Sequence, residues 1–473
     1  MTGQPLTVPA RPNSLDKGGG TPQLDRTLTA FHLVCLGIGA TIGAGIFVLT
    51  GTAAAQHAGP ALTLSFVLGG FACGFVALCY AELAAAIPAS GSTYSYAKAT
   101  LGPLCAWIVG WDLVLEFAMA AATVAVGWSG YVQSLLNDVG LTLPPALGAA
   151  PGTVVGPDGT TALVNLPAAA LVIALTILLT RGNRGSTGAN AVMVALKVAI
   201  ILAFVGLGAW HVKPGLWSPY IPDNTGTFGE FGWSGVLRGA GIVFFAFVGF
   251  ETVSTAAAET RDPQRDAPIG LIGSVAISTV LYIAVAAVLT GLVPYAALDV
   301  ADPMAKAMDV IGIAGLSIVI KGGAILGLTT ATLTALFGQS RILFAMARDG
   351  MLPAAFARVH PRFHTPATAQ AVVGALTALV AALTPIDVLG ELVSIGTLLA
   401  FILVCVAVMV LRWTRPGQPR PFKAPGGAAT PVLGILACLV LMAGLSWETW
   451  ARLGLWLGLG LAIYGVSRRL ARA

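Results

Sequence analysis

Four ionisable side chains stand where an apolar surrounding disfavours them. Lys197 in "NAVMVALKVAIILAF", Asp112 and Glu116 in "GWDLVLEFAMA", and Glu251 in "GIVFFAFVGFETVSTAAAE" each interrupt a hydrophobic run. An ammonium so placed can exchange a proton or stand in for a mobile cation, and a carboxyl so placed can hold a proton or face a cationic group. Asp112 and Glu116 are one helical turn apart on the same face, so they could share a polar partner. Beside them in the inventory is "GIGATIGAGIFVLTG", Gly37 to Gly51, which places five glycines in an apolar stretch. Each glycine costs about 0.8 to 1.0 kcal/mol relative to alanine in a helix interior. Small residues for close helix packing are one explanation, and a break in the helix is the other.

What must position these groups is a membrane. The 473 residues are 56% hydrophobic and only 10% charged, with a mean hydropathy of +0.86, whereas a soluble domain carries about 25% charged residues. No polar segment is long enough for a separate soluble domain, so one transmembrane domain is predicted over residues 26–467. Apolar segments near the ~20 residues that cross a ~30 Å hydrocarbon core recur about twelve times. They centre near residues 42, 72, 119, 174, 199, 246, 281, 330, 375, 401, 438 and 458. The predicted fold class is an all-α membrane protein with about 12 transmembrane helices. Residues 1–25, rich in Gly, Pro and Thr, read as a disordered tail without a signal-peptide pattern, and residues 468–473 as a short C-terminal tail. Asn137 to Asn165 is the longest loop between spans and reads as flexible.

Threading these spans puts most Lys and Arg, from Arg11 to Arg472, on one side, and only Lys213, Arg238, Lys306 and Arg452 on the other. Positive loops stay in the cytoplasm, so both termini are predicted to be cytoplasmic in a multi-pass plasma (inner) membrane protein. The basic balance reflects topology and contact with membrane lipids, and charge scattered over short loops argues against a nucleic-acid partner. Cys35, Cys73, Cys79, Cys105, Cys405 and Cys438 all lie in or at the edges of apolar spans, which suits small hydrophobes better than a disulfide framework or metal site. His32, His57, His211, His360 and His364 make no metal-ligand pair on a shared helical face. No nucleophile or metal constellation suits an enzyme, and no cofactor is expected.

The two glycine-marked spans fit together. Gly43-Ala44-Gly45 lies near mid-membrane, and Gly249 and Glu251 lie at comparable depth five spans later. Paired, glycine-interrupted segments at corresponding positions of two halves point to an inverted-repeat transporter with its site at the broken helices. A break offers N–H groups that favour an anion and carbonyls that favour a cation. An α-amino acid carries both groups at a fixed spacing.

These blocks, with "YAELAAAIPASGSTYSYAKATLG" (Tyr80 to Gly102), resemble the amino acid-polyamine-organocation superfamily of permeases. "FFAFVGFETVSTAAAETRDPQRDAPIGLIGS" and "FGQSRILFAMARDGMLP" are similar to the cationic amino acid transporter group and its bacterial relatives. The resemblance runs from about residue 25 to the end of the chain. It implies a five-plus-five inverted repeat with unwound first and sixth helices, followed by two further spans. It also implies that N–H groups around Gly43, Ala44, Gly45 and Ile46 hold a substrate carboxylate, while carbonyls of Ile42, Phe245, Ala246 and Val248 face its ammonium. Phe245 is then the aromatic that gates or stacks on the substrate, with lipid-facing or core packing as the alternative. Ala44 stands where some relatives carry a hydroxyl, which leaves the carboxylate one fewer side-chain hydrogen bond.

Lys197 lies about eight residues, or ~12 Å, beyond Ala189 in a ~30 Å core. Charging it there costs at least ~2.5 to 3.5 kcal/mol, and at this depth its stem hardly reaches the headgroups. It is predicted to exchange a proton during a transport cycle. Resemblance agrees, because several such permeases carry a lysine where sodium-coupled relatives bind sodium, and Thr329 and Thr330 would otherwise be candidate sodium ligands. Glu116 matches a glutamate that faces the substrate in this group, with Ala120 one turn further. Glu251 fits a gating or proton-linked role. Asp112 suits a structural hydrogen bond to a neighbouring helix end, and Glu82 an intracellular-gate or topology role. The expected activity is proton-coupled uptake of small neutral, alanine-like amino acids; the alternatives are a cationic amino acid transporter or exchanger, a channel, or a non-transporting sensor. A small membrane partner is not readable from the sequence.

Overall fold

With no water in a bilayer core to take its N–H and C=O groups, an apolar chain satisfies them within each segment, and helix is the outcome. A computed structural model describes residues 27–87, 92–154, 159–181, 187–312, 315–363 and 365–470. The expected N-terminal tail over 1–25, residues 471–473 of the C-terminal one, and His364 lie outside these residues. Among the described residues the architecture is all-α, with two isolated β-bridges, Leu28 to Thr260 and Val154 to Thr161. Seven helical stretches are long and apolar enough to cross a membrane, and a further pair qualifies together although bent by 116°. Three shorter apolar helices accompany them.

In chain order, α1 (Ala30–Thr41) stops at Ile42, and helical turns resume over Gly45–Leu49 and continue through α2 (Thr50–Ala53) to Ala58. Pro60 then turns the chain into α3 (Leu62–Ala86). The short α4 (Ser92–Thr100) precedes α5 (Pro103–Asp138), and α6 (Leu166–Thr180) follows. Asn165 caps α6, accepting from the Ala168 N–H at 3.2 Å and from Ser129 Oγ at 2.7 Å. After α7 (Thr187–Ala209) comes the second interrupted element: α8 (Gly232–Val243), a 3-10 turn over Phe244–Phe247, and α9 (Thr252–Thr255). The chain continues through α10 (Pro263–Leu292), the short α11 (Pro303–Ile311), α12 (Leu316–Arg348) and α13 (Ala367–Leu383). It ends with α14 (Ile386–Thr414) and the bent pair α15 (Ala429–Ala443) and α16 (Trp447–Leu470), so residues 468–470 of the expected tail are helical.

Packing follows a regular scheme. α3 lies against α10, α5 against α12 and α6 against α13, while α1 packs on α10 and touches α9. α14 bridges α5 and α3, and α16 is held to α5 by stacked Trp111 and Trp456, whose indole N–H groups donate to each other's carbonyls at 2.9 and 3.0 Å. The loop after α5 is more ordered than its composition suggests. Leu163 and Val164 N–H groups donate to Ala146 O, Asn165 N–H reaches Ala382 O, and Gln133 Nε2 holds Gly148 O at 2.7 Å.

Glu82 acts as a brace. Fully buried on α3, its carboxylate takes Arg412 Nε of α14 at 2.9 Å, a second Arg412 contact at 2.5 Å, and the Ala424 N–H at 2.8 Å. Two helices and the 415–428 connection are thereby pinned together. Removing one partner of a buried ion pair leaves the other charge uncompensated, typically at 3–5 kcal/mol. Arg412→Met, which strands a fully buried carboxylate, should therefore lower the thermal unfolding midpoint in detergent further than Glu82→Gln, which leaves only the partly exposed Arg412 guanidinium unpaired. Equal midpoints for the two variants would refute this role.

Candidate functional site

The first break is set by a few backbone groups. Ile42 is extended (φ −71°, ψ 100°), and its N–H makes the last bond of α1, to Ile38 O at 3.0 Å. Ile46 and Phe47 N–H groups both return to Gly43 O at 3.3 Å. The N–H groups of Gly43, Ala44 and Gly45 thus precede the first bond of the resumed helix, the position where helix N-termini take anions. The resumed turns are wide, and side chains serve their carbonyls: Thr50 Oγ1 donates to Gly45 O and Ile46 O at 2.9 Å, and Tyr131 Oη donates to Phe47 O at 2.8 Å.

The second break lies directly against the first. A Cβ on Gly45 would meet Ala246 Cα at 2.4 Å, and one on Gly249 would meet Ala40 O at 2.7 Å. Gly249 has φ 117°, a conformation that side chains oppose, so glycine is required there by both backbone and neighbour. Val248 is extended, Gly249 N–H donates to Glu251 Oε2 at 2.9 Å, and Tyr282 Oη donates to Ala246 O at 2.8 Å. Glu251 therefore holds the backbone of the break on which it sits.

A central chamber opens where the breaks meet α5 and α12. Of the residues singled out in the sequence, Gly43, Glu116, Ala120, Phe245, Val248 and Glu251 line it. Phe245 thus faces the chamber and not lipid. Ala44, Gly45, Ile46 and Ala246 form the packed crossing behind it, and all are buried. The rest of the wall combines apolar side chains, Phe117, Val124, Ala331 and Ala335, with three threonines, Thr41, Thr252 and Thr334. Glu116 is 2% exposed, with Oε2 unpartnered among the described residues.

Lys197 occupies the back of the first break. It is 3% exposed, its stem crosses Gly327 of α12, and Nζ donates to Ile42 O at 3.1 Å and Gly39 O at 3.3 Å. In this state Ile42 O accepts from the protein's own ammonium. Thr329 and Thr330 hydroxyls donate along their own helix, to Ile325 O and Gly327 O. Asp112 differs from expectation: it is buried beside Gly396 of α14, and among the described residues neither carboxyl oxygen has a hydrogen-bond partner.

Several contributors lay outside the sequence reading. Lys321 on α12 is 3% exposed and pairs with Asp138 at 2.7 Å and Asp302 at 3.9 Å, closing one end of the molecule over α11. Its setting, "SIVIKGGAILG", carries the same signal as that of Lys197. Tyr131 and Tyr282 act through hydroxyls that reach unwound carbonyls, and nothing in their local sequence marks them. Toward the opposite end, a second cavity runs from Lys197 past Thr330 to Tyr94, Glu259 and Arg341.

A multi-helix membrane protein whose two broken helices meet at an enclosed chamber, with a buried lysine bonded to the back of one break, has the make-up of a solute permease. The profile of the family described as amino acid permease matches residues 28–451, and the chain belongs to that family. It is similar to the branched-chain amino acid permease BcaP of Bacillus subtilis (strain 168), 48% identical over 451 residues, covering 95% of this chain and 94% of the relative. The methylthioribose transporter of the same organism is 46% identical over 446 residues, 94% of each chain. Cationic amino acid transporter 4 of Homo sapiens is 35% identical over 414 residues, 86% of this chain and 62% of the relative. These relatives are transporters and permeases, and this chain is not an enzyme.

The crossing generates a direct test. Gly45→Ala places a methyl group where Ala246 backbone already stands, so the breaks must separate. Amino acid binding to the purified protein should weaken by at least about tenfold, or ~1.4 kcal/mol, with helical content unchanged. Wild-type affinity in a folded Gly45→Ala variant would remove the breaks from the site.

Proposed function

We propose that this protein is a secondary active transporter that takes up neutral aliphatic L-amino acids, from alanine to the branched-chain members, together with protons across the plasma membrane. The observation that carries this reading is the pair of breaks in contact at Gly45 and Ala246, with Gly43 of the first break lining the chamber and the small apolar residues Ala120, Val124, Ala331 and Ala335 of α5 and α12 in the same wall. The carboxylate docks at the N–H groups, and the ammonium faces the unwound carbonyls around Phe245, Ala246 and Val248. The side chain points toward Ala120, Val124 and Ala335. Methylthioribose has neither a carboxylate nor an ammonium for such a cradle, so near-equal identity to its transporter carries less weight than the chemistry of the breaks.

The packing scheme supports twelve crossings and a five-plus-five inverted repeat. Broken span 1 meets broken span 6, and spans 2, 3 and 4 (α3, α5, α6) pack on spans 7, 8 and 9 (α10, α12, α13). With both termini in the cytoplasm, the cavity toward Tyr94 and Arg341 faces inward, and the Lys321 ion pairs lie on the outer side. A cationic side chain is the second reading, because Glu116 presents an unpartnered oxygen to the chamber.

Lys197 supports proton coupling. Its ammonium rests on two carbonyls of the kind that would ligate a monovalent cation, so the protein supplies that charge covalently. Uptake into proteoliposomes should rise as external pH falls under an inward proton gradient and show no sodium requirement. Lys197→Met keeps the apolar stem but cannot titrate, and it should abolish gradient-driven accumulation more severely than equilibrium binding. Sodium-dependent uptake, or undiminished pH-driven accumulation in Lys197→Met, would refute the coupling.

A further inference from the structure

The central chamber and the cavity toward Arg341 share five lining residues: Gly39 and Ala40 on α1, Phe117 on α5, Thr252 on α9, and Thr334 on α12. Four helices therefore frame the passage between the two spaces. Two of these residues are glycine and alanine and two are threonine, so Phe117 supplies the bulk. Its ring also has a specific seat: a Cβ built on Gly338 of α12 would lie 2.7 Å from Phe117 Cε1 and 3.1 Å from Cδ1. Any side chain at 338 would displace the ring.

We propose that the Phe117 ring is the barrier between the chamber and the inward cavity, and that the bare backbone at Gly338 is the recess that lets it stand aside. The mounting of the ring suits this role. α5 and α12 are uninterrupted helices packed against each other, whereas Gly39, Ala40 and Thr252 belong to the two interrupted elements. The ring is thus fixed to a stiff pair and faces the parts of the molecule that have breaks to bend at. An approach of α1 and α9 toward α5 narrows the opening onto the ring, and their separation frees it. An aromatic ring offers a zwitterion no hydrogen bond, so it obstructs without strong trapping, and its movement between staggered rotamers is fast compared with helix motion.

The proposal rests on the transport reading for its consequence, but the barrier itself can be measured without a substrate. The reporter is a single cysteine at Ala335, or in a second series at Val124, both of which line the chamber and not the inward cavity. Cys35 and Cys105, the partly exposed native thiols, are replaced by serine. A membrane-impermeant thiol reagent is then applied from the side of Arg341. Phe117→Ala should speed labelling by about tenfold, corresponding to ~1.4 kcal/mol of barrier, and Phe117→Leu should stay near the wild-type rate. Gly338→Ala, which pushes the ring from its recess, should slow labelling and amino acid exchange in the folded protein. In transport assays Phe117→Ala should keep downhill efflux but lose gradient-driven accumulation. Unchanged labelling of both reporters in Phe117→Ala would overturn the barrier. Faster labelling in Phe117→Ala, with the wild-type protein lacking the reporter cysteine moving no amino acid, would leave the barrier standing and refute the transport reading instead.

Discussion

Two stretches of main chain touch without an intervening side chain, and the rest of the site depends on that contact. Gly45 lies against the backbone of Ala246, and Gly249 against the carbonyl of Ala40. Close approach of this kind is open only to residues without a Cβ, and it brings two helix interruptions to one depth. Each interruption alone would leave unbonded N–H and C=O groups in a low-dielectric interior, a few kcal/mol for each group. Placed together, they share a single polar region, and hydroxyls from straight helices meet part of the demand: Tyr131 at Phe47 O, Tyr282 at Ala246 O. The groups left over line the chamber.

Lys197 solves the cationic half of the same problem. The end of α1 turns the carbonyls of Gly39 and Ile42 toward α7, where carbonyls without a donor would be unfavourable and a bare ammonium far more so. Each satisfies the other, and the 3.1 and 3.3 Å bonds join α7 to the break. The lysine stem lies against Gly327, so α12 is part of the same assembly. A change in the charge of that ammonium would act on three helices through two hydrogen bonds, which is the physical link between a proton and the shape of the break.

The two interruptions and the buried lysine were legible in sequence because each violates a strong local rule: glycine where helix is demanded, charge where hydrocarbon is demanded. The same rule applies to Lys321, whose partners Asp138 and Asp302 lie far from it in the chain and become visible only in three dimensions. Tyr131, Tyr282 and Phe117 were illegible for the opposite reason: an aromatic residue in an apolar span breaks no rule, and its use depends on which atom lies opposite. Asn137 to Asn165 looked flexible from its Gly and Pro content, but its described residues at 146 and 163–165 are tied down by hydrogen bonds to Ala146 O and Ala382 O that no local pattern announces. Asp112 was expected to hydrogen-bond to a neighbouring helix end, yet its carboxyl lies beside Gly396, inside α14.

Asp112 and Glu116 sharpen the question of what travels through the chamber. Three carboxyl oxygens on adjacent turns of α5 are buried without a hydrogen-bond partner, and among the described residues no ion pair reaches either side chain. An unpaired carboxylate in such a place is unfavourable by several kcal/mol, so a positive charge must accompany it in any well-populated state. A proton meets that requirement and leaves the chamber to a neutral amino acid. A cationic side chain meets it as well and makes the proton unnecessary. The branched-chain and cationic amino acids named for two of this chain's relatives are therefore alternative answers to one electrostatic demand at Glu116.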